Sequence, residues 1–140
     1  MKLWKKIKGY FVIQSKYKAS YGVLSNQMRT LFPNADIHIT DANRKLIPRE
    51  EVNKLLILNV FSLRKYIRET NDCEDYAFAF KALASQFYSE CAIALVFANT
   101  PNGPHALNGF VDKFMQFHYI EPQNNTVFKN SKYKPYLIII

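Results

Sequence analysis

Three residues of this 140-residue chain have the types and order that thiol chemistry needs: Cys73, His105 and Glu121. A thiolate can attack a carbonyl, an imidazole can take and return its proton, and a carboxylate can hold the imidazole in the useful tautomer. Cys73 follows Asn71-Asp72 and precedes a long apolar stretch, which predicts a cysteine in the first turn of a helix. Unpaired N–H groups and the macrodipole favour a thiolate there. Glu74 and Asp75 add negative charge beside the sulfur and oppose it. A cysteine opening an apolar helix is, taken alone, more often a small core residue, so the type of residue alone does not decide its role.

The spacing of His105 and Glu121 supplies a geometric check. If Asp112-Lys113-Phe114 is a three-residue hairpin loop, Val111 pairs with Met115, Gly109 with Phe117, Leu107 with Tyr119 and His105 with Glu121. Directly opposed side chains of an antiparallel pair lie about 4.5 to 5.5 Å apart at Cβ. A two-residue loop would instead set His105 against Ile120, and no glycine fixes the loop type.

These residues need elements to hold them. Asp72 is the expected N-cap, with Asp75 three residues on as an imperfect capping box. From Tyr76 to Tyr88 most positions are apolar, which predicts a central helix covered on several sides. Pro48-Arg49-Glu50-Glu51 opens another helix with Val52, Leu55 and Leu56 inward. Residues 19–34 read as a further helix or irregular segment, and 61–70 as a connection. Asp36 to Thr40 alternates as a short strand, followed by a turn at Asp41-Ala42-Asn43. Ala92 to Phe97 is a buried strand, 99–104 a loop, and His105–Val111 with Met115–Glu121 a hairpin. Tyr136 to Ile140 is a last strand. Helices first and an antiparallel sheet second predict the α+β class, in one domain spanning 1–140.

Composition sets the outer bounds. Hydrophobic residues make up 49% and the formal charge is +8, so the chain is globular and basic. The first 18 residues hold six lysines and no acid, and Leu3, Trp4, Ile7 and Phe11 recur at helical spacing. A basic amphipathic helix over 1–18 offers a surface for nucleic acid or an anionic membrane, or packs its Trp on the domain. No apolar run reaches the roughly 18 residues that span a bilayer. Two cysteines make no disulfide framework and point to a reducing, cytoplasmic compartment. Cys91 opens the buried strand and reads as structural. Cys73, His38, His105 and His118 lack zinc-type spacing, Asp72, Glu74 and Asp75 read as a capped helix start, and no metal or cofactor is expected.

Asn71-Asp72-Cys73-Glu74-Asp75-Tyr76-Ala77, Gly103-Pro104-His105-Ala106-Leu107-Asn108 and Tyr119-Ile120-Glu121-Pro122-Gln123 together resemble the papain-like and transglutaminase-like thiol superfamily. The nearer likeness is to small phage and bacterial domains of a D-C-[DE]-D-[FY]-A, G-H-A-x-N, EPQ type. The protease-like C-terminal domain of a mushroom agglutinin is similar. The blocks cover 71–123, a little over a third of the chain. The resemblance implies a Cys-bearing helix packed on an antiparallel sheet. It implies a thiol hydrolase or acyltransferase acting on an amide or ester of a protein or peptide, with Cys73 as nucleophile, His105 as base and Glu121 as orienting carboxylate. It also implies a bacterial or phage-infected host cytoplasm. Gly-Pro-His departs from the family's Gly-His, and no Gln precedes Cys73; Asn71 and Gln123 are the amide candidates for an oxyanion or orienting role. The alternative is a catalytically silent, phage-type binding protein that uses the same groove or its basic surface to hold a host protein, nucleic acid or small ligand.

Overall fold

Serine, proline and aspartate each start one helix. The computed structural model describes residues 17–129 and 132–140, so nearly all of the basic segment expected to be helical over 1–18 lies outside the described residues. Helix α1 (Tyr21–Leu31) begins at Ser20, whose hydroxyl accepts the Val23 N–H at 3.4 Å. Helix α2 (Arg49–Leu58) follows Pro48, carries Glu50 and Glu51 in its first turn and buries Val52, Leu55 and Leu56. Helix α3 (Cys73–Phe87) starts after Asp72, whose backbone N–H donates to Asp75 Oδ2 at 3.1 Å, the returning half of a capping box. Cys73 is the first helical residue, as its sequence context predicts.

The strands are β1 (Lys18–Ser20), β2 (Asp36–His38), β3 (Asn43–Lys45), β4 (Ile93–Thr100), β5 (Gly103–Val111), β6 (Phe117–Glu121), β7 (Thr126–Phe128) and β8 (Lys134–Ile139). Six of them form one sheet in the order β2-β8-β4-β5-β6-β7, and β1 pairs with β3 separately. Strand β2 runs parallel to β8; the other pairs are antiparallel. Side chains alternate between two covered faces. Ala94, Val96, Leu107, Val111, Phe117 and Tyr119 pack with Leu24 and Met28 of α1. Ile93, Phe110 and Ile120 pack with Val52, Leu55 and Phe80 of α2 and α3 on the opposite face. Burial on both faces is why Ala92 to Phe97 reads as a continuous apolar run rather than an alternating one.

This is a mostly β, sheet-centred architecture with three short helices among the described residues, and it corrects the α+β expectation. Strands β1, β2 and β3 precede the Cys-bearing helix, so helices and sheet are interleaved rather than sequential. Helix α3 is also not surrounded. Its buried residues Tyr76, Ala77, Phe80 and Ala84 make one face, while Phe78 is 53% exposed. The expected loop at 99–104 is largely strand: β4 reaches Thr100 and β5 resumes at Gly103, whose φ of 112° turns the chain in two residues. Strands of three residues, polar in β1 and β3, are too short for alternation to reveal them.

Candidate functional site

Strand β5 positions the site, and its backbone alternation explains how. Val111 N–H donates to Ala92 O at 3.1 Å, so the odd residues of β5 direct their N–H groups at β4 and the even ones at β6. The ladder with β6 runs from Val111↔Phe117 to Asn108↔Ile120. One step further the bonded partner of Ala106 would be Pro122, which has no N–H to give. The ladder stops there, and Pro122 O accepts from Asn59 Nδ2 at 2.9 Å instead. The Ala106 N–H is left for the Cys73 sulfur, 3.4 Å away.

This register differs by two residues from the three-residue-loop expectation. The loop spans 112–116, closed by Asp112 N–H to Gln116 O at 2.9 Å and Met115 N–H to Asp112 O at 2.9 Å, with Met115 itself in the left-handed region at φ 62°. A shift of two keeps every side chain on its own face. His105 and Glu121 therefore still meet, now as diagonal rather than direct neighbours: Nε2 lies 2.6 Å from Oε2, with side chains 20% and 14% exposed. A carboxylate only accepts, so Nε2 carries the proton when the imidazole is neutral. Glu121 Oε1 also accepts the Gln123 N–H at 3.3 Å, which places Gln123 as a support of the carboxylate.

Cys73 reaches strand β5 at Ala106, the residue after His105, and makes two hydrogen bonds. It accepts from Ala106 and its S–H donates to Glu74 Oε2 at 3.3 Å. Burial pushes the thiol above its ordinary value; the Ala106 N–H pulls the other way, and the Glu74 hydrogen bond with the charges of Glu74 and Asp72 raises it further. Burial contributes most, and with the two carboxylates it leaves the thiol raised despite its place at the helix terminus. Asn71 is likewise engaged: Nδ2 donates to Lys65 O at 2.6 Å and to Tyr76 Oη at 3.3 Å, tying the chain before α3 in place. Cys91 is buried and its thiol is raised by that burial, as a structural cysteine should be. Among the described residues no group of His, Cys, Asp and Glu could hold a metal ion, and no helix is long and apolar enough to cross a membrane.

Two contributors carry no sequence signal as strong as the cysteine. Asn108, fully buried, donates from Nδ2 to Ala77 O at 3.0 Å and to Ala94 O at 3.1 Å, clamping α3 onto β4 and so fixing the height of Cys73 over β5. Its only signal is an amide inside an apolar strand. Tyr133 sets its ring edge-on to His105, with centroids 6.4 Å apart and planes at 86°. With Thr100, Asn102, Pro104 and His105 it lines an open pocket of about 200 Å³. The Thr100 hydroxyl shapes the pocket's turn by donating to Gly103 O at 2.9 Å and accepting the Asn102 N–H at 3.2 Å.

Solved structures share this fold. A structure described as a complex of PSL1a with E64 superposes with a TM-score of 0.80 at 20% identity, covering 90% of this chain and 52% of that one. Polyporus squamosus lectin bound to the human-type influenza-binding epitope Neu5Aca2-6Galb1-4GlcNAc gives a TM-score of 0.77 at 21% identity, covering 90% of this chain and 50% of the lectin. The chain spans about half the length of the solved chains it matches. Neither a protein-family model nor a curated protein sequence matches it. The expected similarity to a mushroom agglutinin is borne out at the level of fold. The papain-like and transglutaminase-like assignment is not, and the hydrolase reading with its catalytic triad is corrected with it: the fold neighbours are lectin chains.

Proposed function

We propose that this chain is a binding module and that its ligand is polyhydroxylated, the terminus of a glycan, held in the pocket beside His105. The observation that carries this reading is the contrast within the site. The thiol's hydrogen bonds are both used inside the fold, whereas the His105–Glu121 pair opens onto a pocket with Tyr133, Thr100 and Asn102. Those residues supply an imidazole, a carboxamide, one aromatic ring and the remaining lone pair of the Thr100 hydroxyl. Sugar hydroxyls donate and accept in the same directions, and the C–H face of a sugar ring lies well on an aromatic side chain. The lectin neighbour seen with a sialylated epitope supports the same ligand class, although this chain matches only half of it. In this reading Glu121 fixes the tautomer and tilt of His105, and Cys73 fills the gap at the end of the β5–β6 ladder.

Chemical-shift titration of the isotope-labelled chain with Neu5Aca2-6Galb1-4GlcNAc and a panel of neutral oligosaccharides tests it. At least one sugar should give saturable shifts confined to 100–105 and 133. Replacing His105 or Tyr133 with Ala should weaken that binding about tenfold, the loss of one or two hydrogen bonds or ring contacts. Cys73→Ala should bind as the parent does. No saturable shift at these residues with any sugar, or loss of binding on Cys73→Ala in a folded protein, overturns the proposal.

A further inference from the structure

A second, larger pocket lies on the α1 side of the sheet, under the 112–116 loop. Its volume is about 470 Å³, within the roughly 300–1,000 Å³ typical of small-molecule sites. Phe32, Phe114, Phe117 and Tyr119 form its apolar walls. The floor is set by Gly109: a Cβ there would stand 2.2 Å from Phe117 Cζ, so only glycine lets that ring lie down on β5. The ring is held by edge contacts to Phe32, at 5.0 Å, and to Tyr119, at 5.2 Å. At the mouth, Phe114 is 71% exposed, with Lys113 Nζ 5.1 Å from its ring centroid.

The polar groups are few and of one sign. Gln27 Nε2 donates to Met115 O at 3.1 Å, and Gln116 Oε1 accepts from Lys129 Nζ at 2.6 Å. Lys129 is the one charged residue among the described ones lining the pocket, and the amide beside it positions the ammonium without neutralising it. A neutral apolar ligand would leave that charge unused, a cation would be repelled by it, and a sugar would find Gln27 Nε2 and Gln116 Oε1 each partly engaged. We infer that this pocket binds a small amphipathic carboxylate, with its apolar body on the Phe114 and Phe117 rings and its carboxylate at Lys129 Nζ. The net charge of +8 favours the approach of such an anion.

Isothermal titration of the full chain with decanoate, decanol and decyltrimethylammonium, below their micelle-forming concentrations, decides the matter. Decanoate should bind most tightly and the cation least, with decanoate shifting the amides of Gly109 and Met115. Lys129→Gln should weaken decanoate by up to about fivefold, as for one exposed ion pair, and leave decanol unchanged. Phe114→Ala, at an exposed loop position where folding is not at stake, should weaken both. Decanol binding as tightly as decanoate, an unchanged decanoate affinity in Lys129→Gln, or shifts mapping away from Gly109 and Met115 would each overturn the inference.

Discussion

His105–Glu121 and His118–Asp112 are the same chemical pair placed at opposite ends of one hairpin. Both bonds are short, 2.6 and 2.8 Å, and the side chains are similarly buried, at 20% and 14% against 14% and 12%. What differs is the company. The His118 ring is stacked on Phe110 at 4.7 Å and 11°, and Asp112 also accepts the N–H groups of Phe114 at 2.8 Å and Gln116 at 2.9 Å. Both oxygens of Asp112 are thus engaged at the loop. The His105 ring has only the edge of Tyr133 beside it and faces the pocket. Burial does not separate a structural pair from a binding one; the number of partners left over does.

The sharpest way to break this contrast is to delete the two carboxylates. Asp112→Ala should cost about 2–4 kcal/mol in urea unfolding, since it orphans two backbone donors and the imidazole. Glu121→Ala should cost about 1 kcal/mol while weakening the ligand response at 100–105. Equal costs would erase the distinction. The pH response should follow the same division. Burial pushes the Asp112 carboxyl up, but the His118 hydrogen bond and the N–H groups of Gln116 and Phe114 outweigh it and hold the carboxyl below its ordinary range. Its folded value is thus lower than its unfolded one near 3.9, so the stabilisation is complete above about pH 4. It is lost as pH falls through the folded value, and Asp112→Asn should remove that part of the acid slope. The smallest effect belongs to the sulfur. Alkylation of Cys73 should be slow at neutral pH and rise with a midpoint above the ordinary thiol value, with Cys91 slower still through burial. A midpoint below that value would show a thiolate and contradict the role given to Cys73.

Much of the site was legible because period-2 alternation tolerates an error of two. The loop is two residues longer than its spacing suggests, since its reversal rests on Met115 in a left-handed conformation and on Asp112 capping, with no glycine to signal either. Face parity survived, so His105 and Glu121 were still brought together. The capped start of α3 at Cys73 was equally readable. Tyr133 was not, because nothing local to its sequence points to His105. The fold class departs from the sequence expectation for a related reason: β1, β3 and β7 are three residues each, and the parallel pairing of β2 with β8 joins residues about a hundred positions apart. Such pairings leave no local pattern. The basic N-terminal segment, read as a surface for nucleic acid or membrane, lies outside the described residues.

The end of the β5–β6 ladder has one more consequence, for how the molecule avoids its own copies. A strand whose neighbour stops early exposes donors and acceptors on which a second chain can nucleate a sheet. Beyond Asn108, the residues of β5 that face the missing neighbour are Ala106 and Pro104. Pro104 has no N–H, and the sulfur of Cys73 occupies the single donor that remains, at Ala106. The cysteine that invited a nucleophile's interpretation thus works as a stopper, denying a foreign strand its first hydrogen bond.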